Sequence, residues 1–243
     1  MSDMASQVST SISLLEQEFS IIAHNLANVS TVGYKRRCNE FAKTMRDQDI
    51  GLQDVPIDES TPHSSIDFSQ GHLLETGRSL DVALDGKGFF LIETTDGPLY
   101  SRNGMFHLNR NGQIVNSRGQ IVSGQGGPIS VPQNVSISQV NVSRDGNISA
   151  GGMPIGKFKL VDFKKDEYML TPVGTGCFSA PDDVKPGEPD KVVVRQYYQE
   201  SSNVTMVDEL VDMITVSRLY ESNMKFAIAQ KEVSSSIIDV AMG

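Results

Sequence analysis

The stretch AHNLANVSTVGYKRR, residues 23–37, ends a regular helical pattern close to the N-terminus. The apolar residues of that pattern lie alternately four and three positions apart, which is the heptad spacing of a helix with one apolar seam. They are Val8, Ile12, Leu15, Phe19, Ile22, Leu26 and Val29. Small, polar and turn-forming residues then follow one another closely, namely Asn28, Ser30, Thr31 and Gly33. The sequence therefore predicts a helix that runs into a polar turn.

The C-terminal part of the chain carries a second apolar stripe with the same spacing. Its members are Met206, Leu210, Met213, Ser217, Tyr220, Met224 and Ala227, widened by Val207, Val211 and Ile214. We expect Ser202 or Asn203 to cap the first turn of this helix, because both residue types accept hydrogen bonds from free backbone amides. Neither helix can bury its stripe alone, so we predict that the two long terminal helices pair as a coiled-coil layer.

Between the helices the pattern changes to short apolar runs separated by turn-forming pairs of residues. Such pairs accept the backbone geometry of tight hairpin turns, so their spacing predicts antiparallel strands. The pairs are Asp85-Gly86, Asp96-Gly97, Asn103-Gly104, Asn111-Gly112, Arg118-Gly119 and Asp145-Gly146. We predict an α+β fold with a central, mainly antiparallel β-domain. The predicted division is a terminal helical domain of residues 1–33 and 201–243, an extended connector of residues 34–75, and a β-domain of residues 76–200.

The composition argues against two classes of partner. A net charge of −9 disfavours nucleic acid, which needs a clustered basic face, and we interpret the short basic run of residues 35–37 as a solvated turn. No apolar run approaches the roughly 18 residues of a membrane span, so we expect no membrane insertion. The first residues also lack the pattern of a secretory signal peptide. If the protein is exported, we expect a route that cleaves no such peptide.

Residues that could carry chemistry do not form a recognisable arrangement. The stretch GGMPIGKF, residues 151–158, resembles part of a phosphate loop, but Phe158 replaces the hydroxyl residue and we predict a β-turn. The four histidines are scattered without metal-ligand spacing, and no serine or aspartate lies in a triad setting. We therefore predict no catalytic residue, no cofactor and no metal. Cys38 and Cys177 are expected to be ordinary thiols, and a disulfide is expected only if the fold brings them together.

Two other classes of protein stay open on the residues alone. One is a secreted β-domain enzyme or carbohydrate binder with helical appendages, although 7% aromatic residues and no tryptophan speak against it. The other is a cytoplasmic coiled-coil adaptor, whose helices would be stable in the isolated monomer.

Three separated motifs resemble those of one known family. HNLANVSTVGYKR, residues 24–36, is similar to the Asn-Asn-Leu-Ala-Asn-Val signature near the N-terminus of bacterial flagellar rod and hook proteins, with His24 in place of the first Asn. Residues 77–115 resemble the family's central segment, and ESSNVTMVDELVDMITVSRLYESNMK, residues 200–225, resembles its C-terminal signature. The motifs occur in the family's order along the chain.

The resemblance implies a structural subunit of the flagellar basal-body rod that polymerises helically, links the membrane motor to the hook and transmits torque. Its implied partners are further copies of itself, other rod proteins and the flagellar type III export apparatus. Its implied location is the periplasmic rod. The implied layout places the terminal helices in an inner layer and the β-domain outside it.

We predict subunit contacts through both helices and the turn after the first. Asn25 and Asn28 are expected to satisfy backbone groups at the helix end, Gly33 to allow a sharp exit, and Tyr34 to anchor it by packing. The predicted residues of the N-terminal helix and motif are Ile12, Leu15, Phe19, Ile22, Asn25, Leu26, Asn28, Val29, Gly33 and Tyr34. Those of the C-terminal helix are Asn203, Val204, Val207, Leu210, Val211, Met213, Ile214, Tyr220 and Met224.

Overall fold

The computed structural model describes residues 2–39, 64–174 and 176–242. The chain divides into two compact units. The terminal unit comprises Met1–Ala27, Arg37–Ser65 and Val204–Gly243, and the central unit comprises Asn28–Arg36 and Ile66–Asn203. The predicted domain boundaries at residues 33, 75 and 200 stay a prediction, and residues 40–63 of the predicted connector lie outside the described residues.

Two helices form the described body of the terminal unit. Helix α1 spans Ser2–Ala27 and helix α2 spans Met206–Met242. They run antiparallel, because the end of α1 meets the start of α2, where Asn25 Nδ2 donates to Glu209 Oε2 at 3.2 Å. Further along, Tyr220 Oη donates to Glu16 Oε1 at 3.4 Å. Over the described residues, neither helix combines the length and apolar character needed to cross a membrane.

The predicted coiled-coil layer is wrong. The described structure has a single helix at each end of a mostly antiparallel, β-rich centre, and the predicted apolar stripe of α2 is not buried as a seam. Val207, Leu210, Val211 and Ile214 are exposed, as is Phe19 on α1.

A polar contact explains why the apolar stripe faces outward. The side chains of Asn25 and Glu209 are completely buried and bond to each other, and this contact fixes the rotation of α2 about its own axis. A buried polar residue in a helix interface specifies register at the expense of apolar contact. Val216 is buried two turns beyond Glu209, on the same face of the helix, whereas Val207 and Val211 lie off that face.

The strands are short. In chain order they are β1 Arg36–Asn39, β2 Ser64–Asp67, β3 Leu73–Glu75, β4 Val82–Asp85, β5 Phe89–Thr94, β6 Gly97–Ser101, β7 His107–Leu108, β8 Ile114–Val115, β9 Ile121–Gly124, β10 Gly127–Pro128, β11 Val140–Val142, β12 Asn147–Ala150, β13 Met153–Lys157, β14 Leu160–Val161, β15 Thr171–Val173, β16 Cys177–Ser179, β17 Val193–Gln196 and β18 Tyr198–Glu200. Two 3₁₀ turns lie at Ile137–Gln139 and Glu167–Met169.

The largest sheet of the described residues has the strand order β15-β16-β6-β5-β9-β8-β7, with β10 beside β9 and β14 beside β5. Strands β11, β12 and β13 form a second sheet, and β1-β2, β4-β17 and β3-β18 are separate pairs. The pairings with a determined register are antiparallel. The antiparallel β-rich centre that the sequence predicts is therefore present.

Strand β5 is buried on both faces and divides the apolar core. Phe90 and Ile92 point into one cluster with Phe106, whereas Phe89 and Leu91 point into another with Phe178. Successive side chains of a strand alternate between the faces of a sheet, so the run FFLI supplies both clusters in turn. The rings of Phe90 and Phe106 meet edge to face at 5.1 Å.

Four of the predicted turn pairs connect paired strands. Gly97, Gly112, Gly119 and Gly146 have positive φ angles between β5 and β6, β7 and β8, β8 and β9, and β11 and β12. The turn at Gly151 likewise joins β12 to β13, so the phosphate-loop-like stretch contains the β-turn that we predict.

The other two pairs do not make hairpins. Strand β4, which precedes Asp85-Gly86, pairs with the distant β17 rather than with β5. Gly104 is needed for a different reason, because a Cβ atom there would overlap the Val82 carbonyl oxygen. Glycine marks close backbone approach as well as turns, and the sequence alone does not separate the two.

Candidate assembly site

Two of the sequence motifs meet inside the central unit. The Gly33 amide donates to the Glu200 carbonyl oxygen at 2.8 Å. The Arg36 amide donates to Asn203 Oδ1 at 2.7 Å. Residues 33–36 and 200–203 thus lie side by side, although more than half the chain separates them. We call this region the motif junction.

Gly33 is the tightest point of the motif junction. Its φ angle is +69°, in the left-handed region that favours glycine, and a Cβ atom there would lie 2.5 Å from the Asn103 nitrogen. The Tyr34 amide donates to the Thr31 carbonyl oxygen at 3.2 Å, and the Tyr34 ring is buried. The chain therefore turns sharply at Gly33 and packs immediately afterwards.

Three buried charged side chains lie behind this turn. Lys35 Nζ donates to Glu200 Oε1 at 2.7 Å and to the Ser69 carbonyl oxygen at 2.6 Å. Arg102 Nε lies 3.0 Å from Glu200 Oε2, an ion pair without the geometry of a hydrogen bond. Lys35 and Arg102 are 2% and 3% exposed and Glu200 is 1% exposed. We call these three residues the charge cluster.

Backbone groups complete the charge cluster. Arg102 Nη1 donates to the carbonyl oxygens of Gly86 and Gly88 at 2.9 and 2.6 Å, and the Gly71 amide donates to Glu200 Oε1 at 3.1 Å. Burial lowers the pKa of Lys35, and the neighbouring Glu200 carboxylate opposes that shift. The interpretation of residues 35–37 as a solvated turn is wrong for Lys35, because its ammonium group is buried against a carboxylate.

Asn203 ties several backbone segments together. Its Oδ1 accepts from Arg36, and its Nδ2 donates to the Asp67 carbonyl oxygen at 2.8 Å and to Ser69 Oγ at 3.0 Å. We expected Asn203 as a possible helix cap. Its described bonds instead join the end of β2 and the start of β1 to the motif junction.

Asn25 does the corresponding work in the terminal unit. Its Oδ1 accepts from the Arg37 amide and its Nδ2 donates to the Arg37 carbonyl oxygen, both at 2.9 Å. The same Nδ2 contacts Glu209. A fully buried side-chain amide that bonds both backbone groups of one residue and also a carboxylate holds the end of α1, the start of α2 and β1 in one arrangement.

The predicted contact residues fall into groups by exposure. Ile22, Asn25, Gly33, Tyr34 and Val204 are buried. Partly buried are Ile12, Leu15, Leu26, Asn28, Val29, Met213, Tyr220 and Asn203. Asn28 Oδ1 accepts from Thr31 Oγ1 at 3.1 Å, within the turn after α1. Phe19, Val207, Leu210, Val211, Ile214 and Met224 are exposed.

Sequence reasoning missed the charged members of the site. Lys35 and Glu200 are 165 positions apart, and Asn25 and Glu209 are 184 apart. Glu200 is the first residue of the ESSN stretch, but a charged residue that precedes a helix is ordinarily expected to be exposed to solvent rather than buried. A single sequence carries no signal that pairs such distant charges.

The two cysteines form no disulfide with each other, and burial raises the pKa of the Cys177 thiol. Across residues 2–39, 64–174 and 176–242, no three His, Cys, Asp or Glu side chains come together as metal ligands.

Comparison with known proteins gives two family matches. Residues 83–150 match the flagellar hook protein FlgE/F/G D1 domain, and residues 195–240 match the flagellar basal body rod FlgEFG protein C-terminal region. The first match covers strands of the central unit, and the second covers residues 200–203 of the motif junction and most of α2. Both matches are to flagellar hook and basal-body rod proteins.

Relatives match along nearly the whole chain. The FlgG rod protein of Agrobacterium fabrum is 34% identical over 94% of this chain and 95% of its own length. FlgG of Bacillus subtilis is 28% identical over 93% and 94%. FlgF of Caulobacter vibrioides is 30% identical over 93% and 92%. The chain belongs to the flagellar basal-body rod protein family, and its function is that of a structural subunit of the basal-body rod.

Both rod names occur among the relatives. The stretches GGPISVP, DGNISAGGMPIGKFKLVDF and LTPVGTGCF, together with the length of 243 residues, predict the greater resemblance to the proximal rod protein FlgF. The distal rod protein FlgG is the near alternative. Relatives with both names support membership of the rod protein family. They leave the choice between FlgF and FlgG open.

Proposed function

We propose that this rod subunit assembles with further copies of itself and with other rod proteins through the outward apolar face of its helices. The observation that carries the proposal is the exposure of large apolar side chains on α2. Val207 is 66% exposed and Ile214 is 53% exposed, and Leu210 and Val211 lie between them. Buried apolar surface stabilises an association by about 25 cal/mol per Å², so a face of this kind favours a protein partner over water.

The interface is proposed to repeat head to tail. A contact between two different patches continues from subunit to subunit, and it forms a helical filament when the rotation does not close into a ring. Such a filament would link the membrane motor to the hook and transmit torque. Transmission needs stiff subunits, which fits the buried charge cluster and the buried Asn25 contact.

The predicted contact residues are assigned two different roles. Exposed residues such as Phe19, Val211 and Ile214 are proposed to touch neighbouring subunits. Buried residues, such as Asn25 in the terminal unit and Gly33 in the central unit, are proposed to hold the shape of their own unit. We also propose the division predicted from the sequence, which is a terminal helical domain, a connector and a central β-domain.

We place the subunit in the periplasmic part of the rod, reached through the flagellar type III export apparatus without removal of an N-terminal peptide. Residues Ser2–Ala27 support this, because they form α1, which packs against α2 and belongs to the terminal unit. Cleavage within that segment would shorten α1, and cleavage beyond Asn25 would also remove the partner of Glu209. Mass spectrometry of subunits from purified rods would then detect peptides from the first turns of α1.

Deletion of the gene in its own host tests the proposal. We expect electron micrographs of basal bodies to show rods that are missing or truncated below the hook, with motility lost and then restored by the intact gene. The height of the truncation would separate a proximal from a distal position. Intact basal bodies and normal swimming in the deletion strain would contradict the proposal.

A further inference from the structure

The last part of the central unit closes it against strands near its beginning. Strand β17 pairs with β4, Val194 opposite Leu84, and strand β18 pairs with β3, Gln199 opposite Leu74. The Ser201 amide then donates to the His72 carbonyl oxygen at 2.8 Å. Residues 193–203, which we call the closing segment, are thus bonded along their length to residues 67–85.

The closing segment also brings the carboxylate of the charge cluster. Lys35 and Arg102 both lie earlier in the chain, and both ion pairs end on Glu200. Without the closing segment, these two cations would face each other in the interior. Burying an uncompensated charge is strongly unfavourable, and a like charge nearby adds to the cost.

We propose that Glu200 makes folding of the central unit conditional on its C-terminal end. Until the closing segment docks, Lys35 and Arg102 stay hydrated, and the segments that carry them do not pack. Docking supplies the negative charge and the β17 and β18 pairings in one step. Almost the whole central unit must therefore be available before any of the motif junction becomes stable.

The local geometry indicates that the motif junction is unstable until the closing segment has docked. Burial lowers the pKa of Lys35 even with the Glu200 carboxylate in place, so the site disfavours a positive charge that is not compensated. Gly71 lies so close to the Ser201 carbonyl oxygen that a Cβ atom there would overlap it. Tyr197, between β17 and β18, has a φ angle of +71°, a conformation that is unfavourable for a tyrosine outside a fully formed structure.

A double-mutant cycle on the full-length chain tests the proposal. The variants are Glu200→Gln, Lys35→Met and the combination of both. The readouts are the urea midpoint of unfolding and the hydrogen exchange of backbone amides in β3 and β4. Glu200→Gln keeps the size of the side chain and one acceptor oxygen, but it removes the charge and replaces the other oxygen with a donor group. Glu188→Gln, in an exposed loop, is the matched control.

We expect Glu200→Gln to speed exchange in β3 and β4 by about a hundredfold or more, because it leaves two buried cations unpaired. Lys35→Met is expected to lower the urea midpoint in the wild-type background, where it removes an ion pair. It is expected to raise the midpoint in the Glu200→Gln background, where it removes an unpaired buried charge. The Glu188→Gln control is expected to match the wild type.

The reversal of sign shows that Glu200 acts by supplying the charge that Lys35 needs, because a side chain that only fills space would give no reversal. If Glu200→Gln does not fold, recovery of a cooperative transition in the double variant gives the same support. A Lys35→Met substitution that lowers the midpoint in both backgrounds would overturn the proposal. Failure of the double variant to exceed Glu200→Gln, including failure of both to fold, would also overturn it.

Discussion

Gly33 shows how a single backbone position determines the motif junction. It combines a positive φ angle with the close approach of the Asn103 nitrogen, so two separate costs attend any side chain there. Gly77 has nearly the same φ angle, +72°, but a Cβ atom there meets nothing within 4 Å. The two glycines therefore separate the cost of the backbone conformation from the cost of the contact.

We predict that Gly33→Ala lowers the free energy of unfolding by more than about 2 kcal/mol, whereas Gly77→Ala lowers it by about 1 kcal/mol. The larger effect is expected because the Asn103 backbone cannot move without disturbing the charge cluster at Arg102. Urea denaturation of the two variants beside the wild type measures both values. Equal losses would show that the close contact contributes nothing.

Cys177 is predicted to be nearly inert in the folded protein. Its thiol is buried, and burial raises its pKa above the ordinary value of 9.0, so less of the reactive thiolate is present at pH 8. In a Cys38→Ser chain, we expect a thiol reagent to label Cys177 at least about a hundredfold more slowly than after unfolding in urea. A labelling rate similar to that of the unfolded chain would contradict the described burial.

At the level of elements, α1 and α2 each carry both buried and exposed apolar residues. Ile22 of α1 is 1% exposed, whereas Ile214 of α2 is exposed. The same residue type in two helices of one unit therefore allows a matched comparison. Truncation removes three methyl or methylene carbons in both cases.

We predict that Ile22→Ala lowers the free energy of unfolding of the terminal unit by about 3 kcal/mol, because it leaves a cavity. Ile214→Ala is expected to change it by less than about 0.5 kcal/mol in the monomer, because the side chain already contacts water. The loss of helical circular dichroism in urea measures both. A large loss on Ile214→Ala would mean that this face is occupied within the subunit itself.

Periodicity predicted the helices but not the way they face each other. The four-and-three spacing is real, yet burial of Glu209 and Asn25 rotates α2 so that Val207 and Val211 point away from α1. Apolar spacing indicates which residues become buried in the functional protein. It does not indicate whether the surface that covers them belongs to the same subunit or to another one. The predicted coiled-coil layer failed on that distinction.

Turn chemistry was the more reliable signal in the centre. Asp96-Gly97 and Asn111-Gly112 connect neighbouring strands as predicted, because the pairing is local. Strand β4 pairs with β17, about 110 positions further along the chain, and only the folded structure shows it. The charge cluster escaped prediction for the same reason.

At the scale of the whole molecule, the chain combines a net charge of −9 with a helix that exposes several large apolar side chains. A net charge of this size disfavours non-specific association, because copies repel one another, while exposed apolar residues favour association at short range. This combination fits a subunit that is delivered singly and then built into a rod. The proposal requires the outward face of α2 to be essential for assembly and dispensable for the fold of one subunit.

The most direct measurement is electron microscopy of basal bodies from a host whose sole copy of the gene carries Ile214→Asp, beside a strain with Ile214→Leu. Both purified proteins should unfold at the same urea concentration as the wild type, because Ile214 is exposed in the subunit. We predict truncated or missing rods and no swimming with Ile214→Asp, and complete rods with Ile214→Leu. Complete rods and normal swimming with Ile214→Asp would contradict assembly through this face.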